Sequence, residues 1–211
     1  HRNHLAIPSG IVHYQQLPVH LENISGDKTM KTFQLVLMFG FMTLLVIGSQ
    51  ILADGPFQYQ NLFNGQDLRG WKASENGNFS VEDGAIVVRG NRAHLFTIRE
   101  YQNFDFTCEI MTQPGSNSGI YFHTAYEETW PSRGYEVQVN CTHSDPVKNG
   151  SLWGVVKNYN ARVKDNEWYS MRITVKGQDI VTRVNGEIVV DYTEPVGVTA
   201  CLLYTSDAAD D

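Results

Sequence analysis

Two short runs in the middle of the chain hold the residues best suited to chemistry. In Gly134-Tyr-Glu-Val-Gln-Val-Asn140, Tyr135, Val137 and Val139 alternate with Glu136, Gln138 and Asn140. In Ser116-Asn-Ser-Gly-Ile-Tyr-Phe-His123, Ile120 and Phe122 alternate with Asn117, Tyr121 and His123. A strand sends successive side chains to opposite faces. Two such strands side by side therefore make an apolar face and a polar, aromatic-edged one, which is what a sugar-binding surface needs. Direct glycoside hydrolysis would require two carboxylates facing each other across the bond. The polar row offers Glu136 alone, because Glu127, Glu128 and Asp145 fall in loops. The plainer reading is that Glu136 and Gln138 are the solvated side of a half-buried strand.

The elements that must carry this row are short strands between turn signals. Residues 57–63 form a strand candidate ended by Asn64-Gly65, and Trp71 reads as core. Asp83-Gly84 and Asn185-Gly186 each separate two apolar runs, the strongest local sign of a hairpin. Phe104, Phe106, Cys108 and Ile110 share one face of a strand, so Cys108 reads as a small buried hydrophobe and not as a nucleophile. Residues 168–175 alternate apolar and polar. No useful helical period occurs after residue 54. Strands at this spacing predict an all-β domain of two packed antiparallel sheets, a sandwich or jelly roll.

Composition narrows the partners. Of 211 residues, 42% are hydrophobic and 18% charged, with a formal net charge of -7 and no basic cluster, which argues against nucleic acid. Three cysteines at positions 108, 141 and 201 give neither a disulfide framework nor a metal-binding CxxC. No cofactor is implied; His143 and Asp145 near Asn140 could hold a divalent ion, although such scatter is common in loops. Asn140-Cys-Thr142 and Asn149-Gly-Ser151 fit the glycosylation pattern, relevant only to a eukaryotic secretory route.

The ends read differently from the middle. Residues 1–29 show neither helical nor strand periodicity and read as translated upstream sequence before Met30. Residues 30–53 have a basic start, an apolar run and Ala53 before the polar change, the pattern of a cleaved secretory signal. The expected protein is thus secreted or periplasmic, with no stable membrane insertion once the signal is removed. The domain is placed at 54–196, with a non-native or disordered tail at 197–211; the oligomeric state is left open.

Several motifs in order resemble the 3-keto-disaccharide hydrolase family. They are Leu62-Phe-Asn-Gly-Gln-Asp-Leu-Arg-Gly-Trp71, Val81-Glu-Asp-Gly84, Leu95 to Phe104, the two central runs, Gly150-Ser-Leu-Trp-Gly154, Trp168 and Val184-Asn-Gly186. The resemblance implies a concanavalin A-like jelly roll and a carbohydrate substrate already oxidised to a ketone at C3 of one sugar. Such a ketone acidifies C2–H, so the reaction needs a base, a donor to the enolate oxygen and an acid for the leaving group. On this reading Glu136 is the base, and Tyr121 or His123 donates a proton. Asn117, Gln138, Trp153 and Lys157 contact the sugar. Family members often carry Arg where His123 stands. They also continue with a Gly-rich strand and a closing strand, so the domain is expected to be truncated, with an exposed, aggregation-prone edge. The alternative on the same fold is a non-catalytic carbohydrate-binding or adhesion module.

Overall fold

The structure, a computed structural model, describes residues 4–8, 12–15, 18–21, 59–74, 77–90, 93–128 and 131–197. The expected signal segment at 30–53 and the tail beyond Gly197, with Cys201, lie outside the described residues. Among the described residues there are only strands, turns and loops, and no helix long and apolar enough to cross a membrane.

Two antiparallel sheets enclose one core, as expected of a concanavalin A-like jelly roll. The first, called sheet A, is built from β1 (His4–Pro8), β5 (Trp71–Ala73), β8 (His94–Thr97), β10 (Asn117–Thr124) and β11 (Tyr135–Asn140). Its order is β11-β10-β1-β8-β5. Sheet B contains β2 (Val12–Gln15), β3 (Pro18–Leu21), β4 (Tyr59–Asn61), β6 (Asn78–Glu82) and β7 (Ala85–Arg89). To these it adds β9 (Phe104–Thr112), β12 (Tyr169–Lys176), β13 (Asp179–Val184) and β14 (Glu187–Thr193). The order runs β14-β13-β12-β9-β2-β7-β6, with β3 joining β9 to β4.

The strands form where alternation lets one face be buried. In β9, buried Phe104, Phe106, Cys108 and Ile110 alternate with half-buried Asp105, Thr107, Glu109 and Met111. The adjoining β12 turns Tyr169, Met171, Ile173 and Val175 to the same core. Cys108 is a core side chain, as its position in the alternation predicts, and burial pushes its thiol well above the ordinary range. Both predicted hairpins are present: Asp83 and Gly84 have φ of 49° and 76°, and Asn185 and Gly186 have 50° and 82°. Two consecutive left-handed residues give the turn whose twist matches paired strands. Of the expected strand at 57–63, residues 57 and 58 lie outside the described residues and Tyr59–Asn61 form β4; beyond it Asn64 Oδ1 accepts the N–H groups of Gln66 (2.8 Å) and Asp67 (2.9 Å) and turns the chain.

Residues 1–29 give the main correction. The expectation of no regular element fails, because β1, β2 and β3 all lie there. They also take interior positions: β1 between β8 and β10, and β2 between β7 and β9. Leu5 is 2% exposed and Tyr14 fully buried. Pieces of four or five residues are too short to reveal a period, and their partners lie about 40 to 120 residues further along. The domain therefore includes strands that a boundary at residue 54 leaves out.

Candidate active site

Strand register places the candidate residues. In β10 and β11, Tyr121 lies opposite Glu136 and Gly119 opposite Gln138. Ala6 of β1 pairs with Tyr121 on one side and Phe96 on the other, and Phe96 pairs with Lys72 of β5. Directly opposed residues project to the same face. Lys72, Phe96, Tyr121 and Glu136 thus share one row across sheet A, with residue 6 of β1 at its middle register position, about 19 Å long at roughly 4.8 Å per strand.

Glu136 lies at one end of the row. Its Oε2 accepts a 2.8 Å hydrogen bond from Tyr121 Oη, which fixes the carboxylate over β10. It can lie there only because residue 119 is glycine. A Cβ at Gly119 would come within 2.7 Å of Glu136 Cγ and 2.9 Å of Cδ, and closer still to Oε1. Gln138, next on the same face, donates from Nε2 to Asn117 Oδ1 (2.5 Å) and to the Ser118 carbonyl (3.3 Å). Its Oε1 is buried with no hydrogen-bond partner. Tyr121 is 5% and Gln138 2% exposed, so these two are not the solvated side of a strand. A buried acceptor left open is costly and invites a donor such as a hydroxyl.

The outer edge of β11 is covered by residues 150–153. Gly150 N–H bonds the Gln138 carbonyl, Gln138 N–H the Ser151 carbonyl and Trp153 N–H the Glu136 carbonyl, each at 2.9 Å. Trp153 is therefore held beside Glu136 by the backbone and is half-buried; Lys157 is exposed in the loop beyond Val156. His123 does not join the row. The β1–β10 register shifts between His4↔Thr124 and Ala6↔Tyr121, and His123 has φ 54°. This bulge re-aims the side chain. His123 Nε2 lies 2.8 Å from the Gln102 carbonyl, and its ring packs edge-on against Phe104 and Phe122. His123 thus stands apart from the Tyr121–Glu136 row, against the Gln102 carbonyl and the rings of Phe104 and Phe122.

Sequence reasoning missed several members of this face. His94 is buried with its ring edge-on to Tyr121 at 5.4 Å, and Phe96 packs edge-on to Tyr126 at 5.0 Å. Lys72 Nζ lies 3.3 Å above the Tyr126 ring centre and 4.0 Å from Glu128, whose carboxylate accepts from Tyr126 Oη. His94 and Phe96 alternate with Leu95 and Thr97, the one available signal. The pairing that brings them to Tyr121 runs through β1 and could not be read locally. Gly119 was legible only as a gap in the alternation.

The loop after β11 supplies its own cation. Lys148 Nζ donates to the carbonyls of His143 and Asp145, both at 2.8 Å, and to Asn140 Oδ1 at 3.4 Å. His143 Nδ1 accepts the Asp145 N–H (3.0 Å) and Asp145 Oδ1 the Val147 N–H (2.8 Å). One ring nitrogen of His143 and one carboxylate oxygen of Asp145 are thus engaged within the loop, and no group of three metal-binding side chains occurs among the described residues. Asn140 and Asn149 are fully buried and hydrogen-bonded, so neither glycosylation motif is accessible in the folded domain.

Three comparisons bear on this geometry. Residues 58–202 match the family described as a 3-keto-alpha-glucoside-1,2-lyase-like domain. The chain resembles the solved structure of a candidate glycosyl hydrolase from Parabacteroides distasonis, with a TM-score of 0.57 and 26% identity. That likeness covers 64% of this chain and 71% of the other. An uncharacterized protein of Methanocaldococcus jannaschii is 28% identical over 116 residues, 54% of this chain. The match spans 26%, about a quarter, of that relative's length.

Proposed function

We propose that this chain, which belongs to the 3-keto-alpha-glucoside-1,2-lyase-like domain family, is a carbohydrate-active hydrolase that cleaves 3-keto-glycosides by elimination and water addition. The observation that carries the reading is the Tyr121–Glu136 pair lying over Gly119, with the open acceptor of Gln138 in the next row. The face offers one carboxylate fixed for a single proton transfer, which suits an activated C–H better than a two-carboxylate displacement.

In the proposed reaction Glu136 takes the proton from C2, and the C–H pair becomes the C2=C3 double bond of an enolate. The enolate then collapses to the ketone, forming C1=C2 and expelling the C1 oxygen, which takes up a proton. Water adds at C1 and a proton returns to C2, for net hydrolysis. Tyr121 gives its one hydroxyl proton to the Glu136 carboxylate in the free site; once Glu136 has taken the C2 proton, the phenol can turn to the enolate oxygen, and that donation lowers the enolate's energy. Gln138 accepts from a sugar hydroxyl, and Asn117 holds its amide in place. Trp153 borders the site with its half-buried ring, and Lys157 serves as an outer contact. The signal reading of residues 30–53 supports action outside the cytoplasm.

The test is turnover of a 3-keto-disaccharide in deuterated water. Wild type should incorporate deuterium at C2 and release the second sugar, and Glu136→Gln should lose at least about a hundredfold of both. Unchanged turnover by folded Glu136→Ala would remove Glu136 from the mechanism. Retention on an oxidised-sugar column without any product would identify a carbohydrate-binding module instead.

A further inference from the structure

The strands of residues 4–21 are held as a bound peptide would be. Among the described residues, β1 pairs with β8 and β10, β2 with β7 and β9, and β3 with β4 and β9; none pairs with another of the three. All the described strand pairings of the segment are therefore made to residues on the far side of 22–58. This is strand addition, in which main-chain pairing binds and alternate side chains anchor. Leu5 and Tyr14 are the buried anchors, one from each sheet. Leu5 N–H donates to Thr97 Oγ1 (3.2 Å), and Tyr14 Oη lies 3.2 Å from Ser118 Oγ across the core.

The slot that receives the segment is internal. Emptied, it would expose facing edges on β8 and β10 and on β7 and β9, and open edges recruit other strands. Residues 4–21 of any copy of this chain present the same pairing groups and the same two anchors. Exchange of an identical element between copies replaces every contact with an equal one.

We propose that the slot accepts residues 4–21 from a second copy of the chain, so that two molecules assemble by exchanging this segment. Ala6 stands in the row between Phe96 and Tyr121, so the donated strand completes the receiving copy's candidate site.

Opposed cysteines on β1 and β8 can report the exchange, since directly paired Cβ atoms lie near disulfide reach. Full-length Ala6→Cys and Phe96→Cys proteins, both also Cys201→Ser, are unfolded, mixed at equal concentration, refolded and oxidised. The expected result is a disulfide-linked dimer of the two variants, several-fold above either variant alone and rising with concentration. The proposal is overturned if the mixture gives no linked dimer while the Ala6→Cys/Phe96→Cys double variant closes within a monomer. Failure of the double variant to cross-link at all overturns it too, because β1 would then not occupy the slot. Gln15→Cys with Glu109→Cys, a β2–β9 pair, reads the same exchange from the other sheet should Phe96→Cys fail to fold. The readout is independent of catalytic activity.

Discussion

Both sheets take a strand from the N-terminal segment into their interior, but they differ in what surrounds it. In sheet B the run β12-β13-β14 joins neighbours through tight turns, with Ile173 against Thr182 and Thr182 against Val190. In sheet A the central strand is β1, and Ala6 meets Phe96 and Tyr121 from the far end of the chain. Locally paired strands can form early and tolerate change; distant pairings must wait for loop closure. The candidate site lies on the sheet of the second kind. The protein thus combines a locally determined scaffold with a site face completed by a distant segment.

The sharpest way to break that contrast is to make equal cavities in both sheets. Leu5→Ala and Ile173→Ala each remove a buried aliphatic side chain and should each cost about 2–5 kcal/mol of stability. They should differ in function. Ile173→Ala, measured where it is still folded, is expected to keep its turnover of 3-keto-disaccharide, whereas Leu5→Ala should lose turnover even at temperatures where circular dichroism shows full strand content. Equal turnover in the two would mean that β1 does not support the site.

A smaller change tests the site face alone. Gly119→Ala puts a methyl where the Glu136 carboxylate lies. The obstacle is the end of a flexible side chain, so the strand survives and Glu136 moves. The expectation is a loss of about 1 kcal/mol or less in stability against roughly tenfold or more in kcat, with a far smaller change in KM. A drop in stability without a drop in kcat would show that Glu136 can act from another rotamer.

Burial should also show in the pH dependence. Cys108, Tyr14 and Tyr169 are all held above their ordinary values, in each case chiefly by desolvation. These groups stay protonated in the folded domain but ionise when unfolded, so the unfolded state binds fewer protons at high pH. Stability is then full below the unfolded thiol value of about 8.5 and falls as pH rises above it. Thermal melts from pH 8 to 11 should show Tm falling steadily. Tyr14→Phe should flatten the upper part of that fall while losing the contact to Ser118.

Legibility follows the same division. β9, β12 and the two hairpins were visible because alternation and turn chemistry are local properties. The shared face of Tyr121, Glu136 and Gln138 was visible for the same reason, as was the core role of Cys108. The position of His123 was not, because a bulge is a property of the pairing of β1 with β10. Nor were His94 and Phe96, which become neighbours of Tyr121 only through β1. Lys148 was passed over because its three oxygen partners are backbone and side-chain groups of a loop with no period. Residues 4–21 were set aside because short strands with distant partners carry no local pattern.

The mildest test concerns the scaffold side. Asn185 occupies a left-handed position at the β13–β14 turn, and its Oδ1 accepts the Ser170 N–H at 2.9 Å. Asn185→Ala keeps the residue count and Gly186 but loses that hydrogen bond, and it places a Cβ residue without a compensating polar group at φ 50°. Each loss is worth about 1 kcal/mol, and part of the backbone cost is already carried by asparagine. The expected sum is about 1–2 kcal/mol, read as a few degrees in Tm, with turnover unchanged. Asn185→Gly should restore the backbone share and leave only the missing hydrogen bond. If Asn185→Ala instead altered turnover, the local scaffold and the distant site would be coupled, and the division between the two sheets would not hold.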